Sequence, residues 1–159
     1  FSQRVVSQSE PYKYEAASSK QKAFMGIGLG LFLIVGAFGA IAALGNTLFP
    51  SSSLSEGLAS DFNTQSSFLI QLRIYHPILA VMLGGWWYVV SLIYDKSEQN
   101  DSSTWAQAIQ VMVFVSLGFG VLNYLLMAPA WSALIHLALA NILWLAVVGF
   151  TSRVLYKTR

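Results

Sequence analysis

The sequence contains no cysteine. Disulfides, thiolate metal centres and iron–sulfur clusters are therefore excluded, as is any cofactor attached through a thiol. Charge is scarce: Asp, Glu, Lys and Arg together make up 10% of 159 residues, against about 25% in an ordinary soluble domain. The net charge of +2 is too small to imply a nucleic-acid partner. There is no P-loop and no nucleophile–base pair. The glycine-rich GIGLG at 26–30 lacks the strand and turn that a nucleotide-binding loop needs. Histidine is rare as well, occurring twice, at His76 and His136.

What the chain has in quantity is apolar sequence. Hydrophobic residues make up 55% of it, and the mean hydropathy is +0.58. A helix needs roughly 20 mainly apolar residues to cross the hydrocarbon core of a bilayer. Four segments reach that length, at about 24–45, 68–94, 105–127 and 130–155. The first carries no charge over 22 residues.

Between the first two spans lies a polar loop rich in serine and broken by Pro50. Within it SLSEGLASDF is expected to form one short interfacial turn. DKSEQNDSST joins the second and third spans, and MAPAW makes a tight reversal between the third and fourth. The polar segment 1–23 has no apolar core and does not read as a signal peptide. A chain opening on Phe1 without methionine is expected to be processed or incomplete. Residues 156–159 form a basic tail.

The expected fold is an all-α membrane protein, a four-transmembrane-helix up-down bundle in which short links make sequential helices neighbours. Orientation follows from Lys and Arg. With the N-terminus inside, Arg4, Lys13, Lys20, Lys22, Lys96, Arg153, Lys157 and Arg159 lie on the inner side and Arg73 alone toward the outside. Eight against one is a strong positive-inside bias, so both termini are expected on the cytoplasmic side.

The second and fourth spans then run parallel. His76 sits eight residues into one and His136 six into the other, which places both imidazoles about 9–12 Å below the outer end. A neutral imidazole in hydrocarbon carries one donor and one acceptor that need partners. One reading is that each histidine bonds a neighbouring helix. The other is that the facing pair holds a metal. No Asp, Glu or Cys lies in the spans at this depth to complete a free-ion site, whereas the iron of a haem needs only axial ligands.

Ala80 and Gly84 follow His76 at i+4 and i+8, and Ala133 and Ala140 flank His136, so each set shares a helix face with its histidine. Small residues leave room for a flat macrocycle, or equally allow close helix packing in lipid. Arg73, three residues before His76, is placed either to neutralise a propionate or to snorkel at the interface. Gln107, Gln110, Asn123 and Asn141 are candidates for interhelical hydrogen bonds. Trp86 and Trp87 are expected to pack against the bundle or lipid, and the glycines of the first span to form a packing surface.

The stretches GAIAALGNTLFP, FLIQLRIYHPILAV and LNYLLMAPAWSALIHLALANILWLAVV resemble the haem A synthase family. Its members are usually two tandem four-helix repeats, each with one histidine on its second helix and one on its fourth. The resemblance covers about residues 24–153, one repeat. It implies that one repeat oxidises a methyl group of haem O and that the other holds a permanent haem b. The catalytic repeat typically carries a glutamate three residues before its first histidine and an arginine just after. Here those positions are Arg73 and Pro77. The paired outer-loop cysteines of the family are also absent.

The resemblance therefore implies a haem-b-binding membrane protein like the cofactor-holding half. His76 and His136 would be axial ligands of a non-covalent haem b, and the task would be electron transfer. Two alternatives stand beside it. One is an active haem A synthase, working as a homodimer or with a partner half. The other is a cofactor-free accessory subunit of a respiratory or photosynthetic complex. The expected surroundings are membrane lipid and a partner repeat, a second copy or a larger complex. The expected location is a bacterial plasma membrane or, alternatively, a mitochondrial inner membrane.

Overall fold

The computed structural model describes residues 17–95 and 100–156. The polar segment 1–16, the centre of the charged link at 96–99 and the tail at 157–159 lie outside the described residues. So do five of the cations used for orientation: Arg4, Lys13, Lys96, Lys157 and Arg159. The described residues form helices and turns with no strand: α1 (Ser19–Leu48), α2 (Leu54–Phe62), α3 (Phe68–Arg73), α4 (Tyr75–Asp95), α5 (Asn100–Leu125) and α6 (Ala130–Leu155). Four segments are long and apolar enough to cross a membrane: Ser19–Leu48, Phe68–Tyr94, Ser103–Leu125 and Ala130–Leu155.

α1 exceeds its expected bounds by about a turn at its start, and local chemistry accounts for this. Ser18 caps the helix by accepting from the Gln21 N–H, while the Gln21 side chain accepts from the Ser18 N–H. This reciprocal box satisfies two amides that would otherwise lack partners. At the other end Phe49 is the C-cap, and Pro50 follows, which cannot continue a helix.

The second span is interrupted at Ile74, which separates α3 from α4. Pro77 explains the break. It has no N–H to offer the Arg73 carbonyl, and its ring would press on that same oxygen. Pro77 instead falls in the first turn of α4, where a missing N–H is tolerated.

The third span ends at Leu125, two residues before its expected limit. Met127 and Ala128 take left-handed φ values of 63° and 52°. Ala128 N–H bonds Asn123 O at 2.8 Å and Met127 N–H bonds Tyr124 O at 2.9 Å. These are the paired bonds of a Schellman ending, and they fold MAPAW into the expected tight reversal.

α1 packs on α3 and α4, α4 on α5, and α5 on α6. The ring closes through a lighter contact of α6 with α1. The main core, with Trp87, Val90, Ile109, Val147 and Phe150 at its centre, gathers toward the end that holds the start of α1 and the end of α6. The opposite end carries α2, α3 and the α5–α6 reversal.

Several expected packing roles are visible. Trp87 is buried beside Gly28, as is the Nε1 edge of Trp86. Asn123 accepts from Ser132 Oγ at 2.6 Å and so ties α5 to α6. Asn141 and Gln107 bond within their own helices, to Leu137 O and Ser103 Oγ. Gln110 Nε2 is buried without a partner.

Candidate functional site

His76 occupies the first turn of α4, just past the break that Pro77 imposes. Its ring turns toward α1, where Nδ1 lies 3.2 Å from Val35 O. A carbonyl can only accept, so Nδ1 carries the proton and the lone pair of a neutral ring lies on Nε2. His136, two turns into α6, is half-buried, and its Nδ1 is buried without a partner.

The two rings are neighbours in an edge-on arrangement, with centroids 6.4 Å apart and planes at 78°. This distance tests whether a metal fits between them. Two imidazole nitrogens bonded to one metal at about 2.0–2.1 Å each, with about 1.1 Å from nitrogen to ring centre, separate the ring centres by about 6.2–6.4 Å. The observed spacing leaves room for a metal between the rings where one nitrogen of each points along the line joining them. Among the described residues no three His, Cys, Asp or Glu side chains are grouped to hold a metal ion. The pair thus suits a metal that brings its other ligands with it, as a haem does.

Each ring also lies against a glycine of the preceding span. A Cβ on Gly39 of α1 would stand 3.0 Å from His76 Cε1, and a Cβ on Gly120 of α5 would stand 3.0 Å from His136 Cε1. Composition and hydropathy do not single out these two glycines. A sequence signal for them nevertheless exists. VGAFG at 35–39 and SLGFG at 116–120 both end in Phe-Gly, and HPILA at 76–80 and HLALA at 136–140 share His-x-x-Leu-Ala.

Of the small residues near the histidines, Ala80, Ala133 and Ala140 are half-buried. Gly84 is buried against Val113 and Leu117 of α5, where its missing side chain admits the neighbouring helix.

Arg73 closes α3 and turns away from the rings, toward the loop. Its Nε donates to Asp61. Nη1 bonds Asn46 Oδ1 at 3.0 Å, and Nη2 bonds Gly57 O and Ser60 Oγ at 2.9 Å each. Both charged side chains are nearly enclosed, at 10% and 6% exposure. α2 therefore sets its polar side on the bundle and leaves Leu54, Leu58 and Phe62, spaced four apart, exposed. Asp61 was not apparent as a partner from the sequence. The available signal was one of two acids in the loop preceding the one outer-side arginine, the one at the end of its short helix.

Within α2, Glu56 accepts from both the Ser52 hydroxyl and the Ser52 N–H. These bonds hold its carboxyl below the usual 4.5.

The chain matches the family model COX15-CtaA, described as cytochrome oxidase assembly protein, over residues 2–148. It is 35% identical over 134 residues to proteins named protoheme IX farnesyltransferase from two strains of Thermus thermophilus. Each alignment covers 82% of this chain and 22% of the relative, so the chain spans about a fifth of the length of these curated relatives. No solved structure matches it. With four apolar helices and a family match over most of its length, the chain is an integral membrane protein of the COX15-CtaA cytochrome oxidase assembly family, the haem A synthase family.

Proposed function

We propose that the chain is a haem-b-binding membrane module that carries electrons, with His76 and His136 as axial ligands. The observation that carries this reading is the pair of rings 6.4 Å apart, together with the Val35 carbonyl that fixes the His76 proton on Nδ1. Histidines that ligate metals almost always donate their other N–H to a carbonyl, carboxylate or water. Bound there, the haem would supply one-electron redox chemistry. The protein supplies two ligands on rigid helices and an apolar surround. Ala80, Ala133 and Ala140 are assigned to the edge of the macrocycle, and Gly84 mainly to packing against α5.

Arg73 has four of its five N–H groups engaged by α2 and Asn46. Its first task in this reading is to hold α2 across the end of the bundle, with one N–H of Nη1 left for a propionate. The resemblance places a catalytic glutamate at this position, and an arginine locked to Asp61 cannot act as its substitute. Conversion of haem O to haem A is therefore not expected from this chain alone.

Farnesyl transfer is not assigned either. The relatives' name belongs to proteins of which only 22% is aligned. A diphosphate leaving group calls for carboxylates holding magnesium. The carboxylates with described side chains, Glu56 and Asp61, are taken by Ser52 and Arg73.

We further infer an inner-side location for both termini, from the positive-inside bias. We place the chain in a bacterial plasma membrane, beside a partner repeat or a second copy. The deciding experiment is a reduced-minus-oxidised spectrum of the chain purified from haem-replete cells. Low-spin b-type bands, lost in His76→Ala and in His136→Ala, are the expected result. A colourless parent protein would end the proposal.

A further inference from the structure

We propose that Gly39 and Gly120 are positioning residues for the two histidines, each a notch into which an imidazole edge seats. We also propose that Ser116 serves His136 Nδ1 as the Val35 carbonyl serves His76. The inference rests on the haem-binding reading above.

The bundle is built from two hairpins, α1 with α4 and α5 with α6. In each, the first helix carries Phe-Gly, and the second presents a histidine to that glycine. The contact is the same in both: a Cβ would fall 3.0 Å from Cε1. In the first hairpin the residue four before the glycine, Val35, offers its carbonyl to His76 Nδ1. Such a carbonyl is more open to a side chain from another helix where the residue one turn later lacks a side chain. Gly39 meets that condition for Val35.

The residue four before Gly120 is Ser116. It is buried, and its Oγ has no hydrogen-bond partner. The buried Nδ1 of His136 also has none. Two orphaned polar atoms thus lie on adjacent helices, Ser116 one turn before the glycine that His136 contacts, and each lacks what the other provides. A rotation of the imidazole, or one bridging water, joins them. Ser116 Oγ then accepts a hydrogen bond from Nδ1–H and leaves Nε2 to ligate. By Val35 and by Ser116, each ligand is oriented, and its basicity raised, from the opposite helix.

The test uses the full chain purified with the haem b it acquires during expression. It follows the reduced spectrum, the low-spin ferric resonance and the midpoint potential. Gly39→Ala and Gly120→Ala are expected to shift the resonance and weaken haem retention by about 10–100-fold. Gly36→Ala and Gly118→Ala, whose added Cβ would meet nothing within 4 Å, are expected to change neither. Ser116→Ala removes one oxygen and overfills nothing. It is expected to move the potential upward, because a less basic ligand favours ferrous iron, and Ser116→Thr is expected to restore it.

If the parent binds haem b while the glycine variants and Ser116→Ala leave resonance and potential unchanged, the positioning inference falls and the haem reading survives. If the parent binds no haem, both fall together.

Discussion

Asp61→Ala tests how the loop between the first two spans is held. Arg73 and Asp61 are 10% and 6% exposed, so removing the carboxylate strands a charge in a nearly closed site. Stranding one partner of a buried pair costs about 3–5 kcal/mol. The remaining bonds from Arg73 to Asn46, Gly57 and Ser60 keep the charge partly solvated, so the low end applies, about 3 kcal/mol.

The loss should be local. α2 has nine residues, and an isolated helix shorter than about 12–15 residues is marginal in water. Its order therefore depends on the clamp. Hydrogen exchange of α2 amides in micelles is the assay. A cost of about 3 kcal/mol corresponds to more than about 100-fold faster exchange, with the cores of α5 and α6 unaffected. Arg73→Leu with Asp61→Leu removes both charges and is expected to recover most of the protection, because apolar replacement of a buried pair is often neutral. Exchange in Asp61→Ala accelerated by less than about tenfold, or under about 1.4 kcal/mol, would refute the clamp.

Three further outcomes follow from local geometry. A side chain at Gly28 would meet Trp86 Nε1 and Trp87 Cζ2 at 2.7 Å. Gly28→Ala is thus expected to cost about 1–3 kcal/mol by overpacking, read as a lower thermal midpoint, whereas Gly26→Ala, with open space around it, should not. Ser132→Ala removes the bond to Asn123 across the α5–α6 turn and should cost about 1 kcal/mol in thermal unfolding. The Glu56 carboxyl is held below its usual 4.5 by Ser52. Its contribution is present above that value and is lost as pH falls through the lower folded value. Acid titration of α2 exchange should show this step, and Ser52→Ala should remove it.

Hydropathy alone located the four spans, because an uncharged run of this length has few other uses. It located ends less well, since ends depend on single side chains. The Ser18–Gln21 box extended α1, and two left-handed residues shortened α5. Counting residues from the outer end brought His76 and His136 to one level, and the structure places their rings 6.4 Å apart with planes nearly perpendicular.

The course of Arg73 was less legible. Spacing of three suggests one helical face with His76, but that rule assumes an unbroken helix. Pro77 interrupts it at Ile74, and the two side chains go to different neighbours, Asp61 on α2 and Val35 on α1. The proline was visible in the sequence; its consequence required asking which carbonyl it deprives.

Packing is divided along the bundle in a way that hydropathy cannot express. The main cluster of buried apolar side chains occupies the half that holds the start of α1 and the end of α6, from Met25, Trp87, Ile109 and Phe150 up to Val113 and Leu143. At the level of the two rings, the neighbouring helices present Gly39 and Gly120 instead. The seam between α1 and α6 is the lightest of the ring. Large side chains in the first half fix the relative register of all four spans by filling volume at native density. At the level of the rings, Gly39 and Gly120 leave the histidines held by edge contacts and a single carbonyl. A bundle whose register is set at one end does not depend for it on what the histidines hold. If the chain holds haem b as proposed, loss of that guest should leave the helices associated: removing it should lower the thermal midpoint while the α5–α6 core keeps its exchange protection. Collapse of protection at Ile109 and Val147 on haem removal would show instead that the guest holds the bundle together.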